Sequence, residues 1–183
     1  CRYRYDFHIL GKKMVKKDLK RFRTVALSST KQNKEIQNIA EQCQEILTNL
    51  GLKVLFDSNL AKLKSKGTKL YSKKHLIKHS DLLIAIGGDG TMLQTLHQCF
   101  DLNVPIYGMN RGTVGFLMNE FHKNGLKTRL QQAIPLKLHP LLMRVQPVFG
   151  LEKQAYCINE VALLRQTRQA AKLKVKIDAK IRM

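Results

Sequence analysis

A continuous apolar run that ends in a glycine-rich turn is the feature that most limits how this chain can fold. Residues 81–91 read DLLIAIGGDGT, so five consecutive apolar residues stand directly before Gly87 and Gly88. A run without alternating polar residues predicts a strand buried on both faces, as in a parallel sheet. A chain with such a strand must also supply layers that cover both faces of the sheet.

Strand and helix patterns alternate around this run. Apolar residues recur at steps of three and four over residues 36–50, which predicts an amphipathic helix that Asn33 caps and Gly51 ends. Other segments predict strands at 24–29, 53–58 and 104–110, and helices at 91–100 and 122–134. This order predicts a Rossmann-like α/β domain with a parallel sheet over residues 23–134.

The pattern changes near residue 135. Residues 136–146 and 155–166 predict strands, and residues 172–181 alternate strictly between apolar and polar, which predicts a half-buried antiparallel strand. Three strands rarely make a stable layer alone. We therefore expect residues 135–183 to be the first strands of an incomplete all-β C-terminal domain, and the chain to be a fragment.

The net charge of +20 arises from 33 basic and 13 acidic residues. Residues 60–80 carry seven lysines and no acid, and the basic segment 1–22 matches no pattern. Neither run carries a zinc-finger or RRM signature, so a solvated lysine-rich face is expected and nucleic-acid binding is not. Nothing approaches the roughly 18 apolar residues of a membrane span.

Cysteine and histidine spacing argues against a protein-held metal. The four cysteines have neither CxxC nor other paired spacing, which favours reduced thiols in a cytoplasmic protein. His75 and His79 lie four residues apart but have no acidic ligand nearby. We therefore predict no metal ligands from the protein itself.

The turn at residues 87–91 suits phosphate binding. Gly87, Gly88 and Gly90 remove the side chains that would keep a phosphate from the backbone N–H groups at a helix start, and Thr91 can add a hydroxyl. Asp89 leaves two alternatives open. It either caps the helix, or it orients an attacking hydroxyl and accepts its proton in phosphoryl transfer.

The motif GGDGT at 87–91 resembles that of a kinase superfamily: NAD kinases, lipid kinases and, more distantly, phosphofructokinases. Three further segments favour NAD kinases. PIYGMNRGTVGFLMNE at 105–120, INEVALLR at 158–165 and QAAKLKVKID at 169–178 are similar to bacterial NAD kinases, particularly alphaproteobacterial ones.

The resemblance implies ATP-dependent phosphorylation of NAD⁺ at the 2′-hydroxyl of its adenosine ribose, with a divalent metal, usually Mg²⁺. It implies that Asp89 accepts the proton and that the protein forms homo-oligomers at full length. It also implies NAD contacts for Gly90, Asn159, Glu160, Asn110 and Phe116.

One departure affects the expected activity. The threonine-glycine-serine segment that follows in NAD kinases is not in this chain, so the chain alone is not expected to be an efficient enzyme. Two alternatives stay open: a diacylglycerol-type lipid kinase that shares GGDGT, and a non-catalytic basic nucleotide-binding remnant.

Overall fold

A computed structural model describes residues 7–12, 22–60, 70–100, 102, 104–110, 115, 117–166, 168–170 and 172–182. Its helices are α1 (Lys34–Asn49), α2 (Lys73–Lys78), α3 (Asp89–Gln98) and α4 (Leu126–Gln132). Its strands are β1 (Phe7–Lys12), β2 (Thr24–Ser28), β3 (Lys53–Asp57), β4 (Leu70–Tyr71), β5 (Leu82–Ile86), β6 (Ile106–Asn110), β7 (Asn119–Glu120), β8 (Ala133–Leu138), β9 (Leu141–Val145), β10 (Lys153–Cys157), β11 (Lys176–Ile177) and β12 (Lys180–Ile181).

The main sheet has the order β4-β3-β2-β5-β6-β1-β8, and β7 pairs with β6. All pairs except β1 with β8 are parallel. The predicted α/β fold with a parallel sheet is thus confirmed, and antiparallel strands follow it. The chain moves outward from β2 to β4 and then returns to place β5 beside β2, so the strand order reverses between β2 and β5.

Strand β5 is buried on both faces, as its apolar run predicts. Leu82, Ile84 and Ile86 pack in the core beneath α1 and α4, whereas Leu83 and Ala85 pack in a second core beneath α2 and α3. Side chains alternate across a strand, so each face of β5 supplies a different core. Helices cover both faces of the parallel sheet in this way.

Helix α1 forms for the reasons that its sequence indicates. The side chain of Asn33 caps it by accepting a hydrogen bond from the Ile36 N–H at 2.8 Å. Gly51, with φ of +76°, follows the helix in a left-handed conformation that glycine adopts without strain. Cys43 lies on the buried face, where burial raises the pKa of its thiol to about 12.

The first strand of the sheet was not predicted. Residues 1–22 match no pattern, yet β1 lies between β6 and β8 and pairs with both. Residues 1–6 and 13–21 of that segment lie outside the described residues. Because β8 begins at Ala133 and pairs with β1, it crosses the boundary expected at residue 134, and that domain boundary stays a prediction.

Three predicted C-terminal strands are wrong in extent. The segment 136–146 is divided between β8 and β9, because Pro140 lacks the N–H that would continue the strand pairing. Strand β10 ends at Cys157, because Asn159 adopts φ of +76° and cannot continue an extended strand. Residues 172–181 form a small hairpin of β11 and β12 rather than one strand, because Asp178 and Ala179 adopt φ of +49° and +63° and reverse the chain. Among the described residues, every large apolar side chain that is exposed lies between Leu136 and Ile181.

No helix in the described part of the chain is both long enough and apolar enough to cross a membrane.

Candidate functional site

An open cleft of about 380 Å³ lies at the point where the strand order reverses. In open α/β sheets, ligands bind in the crevice outside the carboxyl ends of the strands at such a point. Three regions that follow strand ends line the cleft: the start of α1 after β2, the glycine turn after β5, and the region after β6. The lining residues include Lys31, Asn33, Glu35, Gly87, Gly88, Asp89, Asn110 and Gly115.

Gly87 is required by the fold of the turn. Its φ is +154°, and a Cβ at this position would lie 2.8 Å from the Thr91 Cβ and would also overlap the Thr91 hydroxyl. The Gly87 N–H donates to the Met109 carbonyl at 2.9 Å, which extends the pairing of β5 with β6 into the turn. Gly88 and Gly90, in contrast, have open space where a Cβ would stand.

Gly87→Ala is expected to destabilise the protein by roughly 2–3 kcal/mol, because alanine is strained at this φ and its methyl group would displace Thr91. Gly88→Ala is the matched control. Gly88 has φ of −100°, and a Cβ added there would have no neighbour within 4 Å, so the effect of this substitution should be below about 0.5 kcal/mol. Urea unfolding of both variants measures the difference, and equal stabilities would contradict this account.

The Thr91 hydroxyl is already engaged in a hydrogen bond within the protein. Its side chain is buried, with 2% exposure, and its Oγ1 lies 2.7 Å from the Thr30 Oγ1. This hydroxyl pair connects α3 to the segment that follows β2. A phosphate contact from Thr91 would therefore compete with Thr30, and the expected phosphate contact stays a prediction.

Asp89 is not the N-cap of α3. Gly88 occupies the cap position, and Asp89 is the first helical residue, where the helix dipole stabilises its negative charge. The side chain is exposed and lines the cleft. A Cβ on Gly115 would overlap its carboxylate, so the backbone of Gly115 lies directly against that group. The capping alternative is thus wrong, and the carboxylate faces the cleft.

Of the remaining four predicted NAD-binding residues, one lines the cleft. Asn110 ends β6 and lines the cleft. Asn159 and Glu160 are exposed after β10 and lie outside the set of residues that line it, although the neighbouring Ile158 packs on the core beneath α3. Phe116 lies outside the described residues. The predicted roles of these four residues in NAD binding stay predictions.

The sequence reasoning missed Gly115, which follows β6, and three polar cleft residues that follow β2: Lys31, Asn33 and Glu35. Asn33 was recognised only as the cap of α1. Their position follows from the strand order, since β2 and β5 are neighbours at the reversal and the segments after them face each other. A sequence signal was available, because the segment after the first strand of a doubly wound sheet borders its binding crevice.

The carboxylates of the cleft can be compared with the ligands that the implied Mg²⁺ would need. Among the described residues, no group of three or more histidine, cysteine, aspartate or glutamate side chains could hold a metal ion. Mg²⁺ usually takes one or two protein carboxylates and otherwise waters and substrate phosphates. Asp89 and Glu35 both line the cleft, so its carboxylates fit a metal that is held mainly by substrate phosphates.

The reversed strand order, the glycine turn at the reversal and the cleft above it define a doubly wound α/β domain of the ligand-binding type. The family described as the ATP-NAD kinase N-terminal domain matches residues 13–134. The chain therefore belongs to the NAD kinase family, which confirms the resemblance.

Curated relatives from alphaproteobacteria agree with this family. The NAD kinase of Caulobacter vibrioides is 49% identical over 106 residues, which cover 58% of this chain and 41% of the relative. The NAD kinase of Zymomonas mobilis is 48% identical over 115 residues, which cover 62% and 44%. The matches thus span about two fifths of the length of these relatives.

A solved structure shares the fold. Yeast NADH kinase complexed with NADH superposes with a TM-score of 0.54 at 17% identity, over 74% of this chain and 46% of the yeast chain. At this identity, the likeness supports the fold alone.

Proposed function

We propose that the full-length protein transfers the γ-phosphoryl group of ATP to the 2′-hydroxyl of the adenosine ribose of NAD⁺, which yields NADP⁺ and ADP. The observation that carries this proposal is the position of Asp89. In a chain of the NAD kinase family, its carboxylate stands in the cleft at the strand-order reversal, on the turn whose other residues are glycine and threonine.

Asp89 supplies the general base in this proposal. The ribose oxygen forms a bond to the γ-phosphorus, the bond from that phosphorus to the ADP oxygen breaks, and the ribose proton passes to the Asp89 carboxylate. The Gly115 backbone restricts where the carboxylate can lie. A positioned base of this kind needs hydrogen-bond reach to the hydroxyl that it deprotonates.

The glycine turn places phosphate close to backbone N–H groups. Gly88 and Gly90 lack side chains where the protein itself leaves open space, so ligand atoms can approach the start of α3. Mg²⁺, when bound, neutralises part of the phosphate charge that would otherwise repel Asp89. Lys31 adds a positive charge to the lining of the cleft.

The remaining NAD contacts belong to the same proposal. Asn159 and Glu160 bond hydroxyls or base edges of the dinucleotide, and Asn110 and Phe116 lie near its adenine end. We also propose that the full-length protein is a cytoplasmic homo-oligomer. These roles are supported by the family match, which covers residues 13–134, and by the segments at 105–120 and 158–165.

The direct test is formation of NADP⁺ from NAD⁺ and ATP by the full-length protein as its gene encodes it. NADP⁺ can be followed by coupling to an NADP-specific dehydrogenase. Diacylglycerol micelles with ATP provide the comparison for the lipid-kinase alternative. Turnover of NAD⁺ supports the proposal, whereas phosphorylation of diacylglycerol alone, or of neither substrate, would refute it.

A further inference from the structure

The segment Ser29–Asn33 forms one wall of the cleft and is held from two sides. On the side of α3, Thr30 meets Thr91 through their hydroxyls at 2.7 Å. Within the segment, the Lys31 N–H donates to the Ser29 Oγ at 3.1 Å. The segment thus has a defined path, and Lys31 and Asn33 line the cleft at its end.

A buried carboxylate stands on the other side of this segment. Asp57 ends β3, is fully buried and accepts a hydrogen bond from the Ser28 hydroxyl at 2.7 Å. Its other oxygen accepts from the Asn59 N–H at 3.0 Å and the Ser58 hydroxyl at 3.3 Å. Lys73 lies 3.7 Å away and supplies the opposite charge that a buried carboxylate needs.

Asn59 connects this carboxylate to the wall. Its backbone is fixed by Asp57, and its side-chain amide donates to the Ser29 carbonyl at 2.9 Å. The same amide accepts a longer bond from Gln32 at 3.4 Å. A continuous hydrogen-bonded path therefore leads from the end of β3 to Ser29 and Gln32 of the wall segment, without passing through the cleft.

We propose that Asp57 and Asn59, together the Asp57–Asn59 clamp, are positioning residues that hold the wall segment Ser29–Asn33 at a fixed distance from Asp89. Neither residue lines the cleft, so the clamp acts through Lys31 and Asn33. The consequence for substrate binding rests on the proposed function. The effect on the wall itself follows from the hydrogen bonds alone and can be measured without turnover.

Asn59→Ala tests the clamp in the full-length protein. It removes the bond to Ser29 and the longer bond from Gln32, and it leaves the contacts of Asp57 with Ser28 and Lys73 in place. Losing a hydrogen bond of this kind should speed amide hydrogen exchange over residues 29–33 about tenfold. In the NADP⁺ assay, we expect KM for one substrate to rise about tenfold, with little change in kcat or in KM for the other substrate.

Asn38→Ala is the matched control. Asn38 lies on the exposed face of α1 and accepts a bond from Gln42 at 2.6 Å, with no link to the wall. In the Asn38→Ala variant, amide hydrogen exchange over residues 29–33 and the steady-state kinetics of NADP⁺ formation should match those of the wild type. Asp57→Asn should shift both measurements in the same direction as Asn59→Ala, but it also deprives Lys73 of its charge partner, so Asn59→Ala decides the question.

The two proposals fail in different ways. If the wild-type protein makes no NADP⁺, the proposed function fails, while hydrogen exchange in Asn59→Ala still decides whether the clamp orders the wall. If the wild type is active and Asn59→Ala has unchanged exchange, or faster exchange with both KM values unchanged, the positioning role is overturned.

Discussion

Asp89→Asn is expected to lower kcat by about 10²- to 10⁴-fold, the range that a positioned general base contributes to proton transfer. Asparagine has nearly the same size and fits the same position at the start of α3, so the turn and the cleft should keep their shape. Only the capacity to accept the ribose proton is lost. NAD⁺ affinity should therefore stay close to that of the wild type.

The measurement is steady-state NADP⁺ formation, together with calorimetry of NAD⁺ binding. Separating the two quantities matters, because a variant that merely loses NAD⁺ affinity would raise KM or Kd and leave kcat high. Asp81→Asn provides a control, since Asp81 accepts bonds from the backbone of Arg23 and Thr24 and does not line the cleft. An unchanged kcat in Asp89→Asn would rule out the proposed proton acceptor.

Gly115→Ala is expected to reduce kcat by about 10²-fold, because small displacements of reacting groups carry costs of that size. The added methyl group would overlap the Asp89 carboxylate, and its Oδ2 would lie 3.0 Å from the new Cβ. Among the described contacts, the nearest obstacles are atoms of that one side chain. The carboxylate can rotate away, so the melting temperature should change little while activity falls.

A double-mutant cycle checks that Gly115 acts through Asp89. If the methyl group works only by moving the carboxylate, Asp89→Asn combined with Gly115→Ala should be no slower than Asp89→Asn alone. Additive losses in the double variant would show that Gly115 affects the reaction by another route. A large drop in the stability of Gly115→Ala would show instead that the methyl group disturbs the fold.

The elements that were predicted correctly are those whose local sequence pattern matches their surroundings in the folded protein. Strand β5 could be read from its apolar run because both of its faces are buried. Helix α1 could be read because its period, its Asn33 cap and Gly51 all agree. The glycine turn was predicted because a helix start directly after a buried strand limits what can occupy it.

The parts that were missed depend on contacts distant in the chain. Strand β1 has no clear signal of its own and is defined by its neighbours β6 and β8. The alternation at 172–181 predicted one strand, but two residues with positive φ fold it into a hairpin. Lys31 and Glu35 lie in a segment that has no motif of its own, and its position beside the glycine turn depends on the strand order.

The position of β1 has a consequence for the order in which the protein is assembled during synthesis. Its pairing joins Ile9 to Ile106 and Phe7 to Leu138. Strands β2 to β6 can pair among themselves as soon as they have left the ribosome. Strand β1 leaves first but must wait for both partners. Among the described strands, β1 is therefore the earliest to be synthesised and among the last to join the sheet, and its pairing with β8 spans the largest sequence separation of the described pairs.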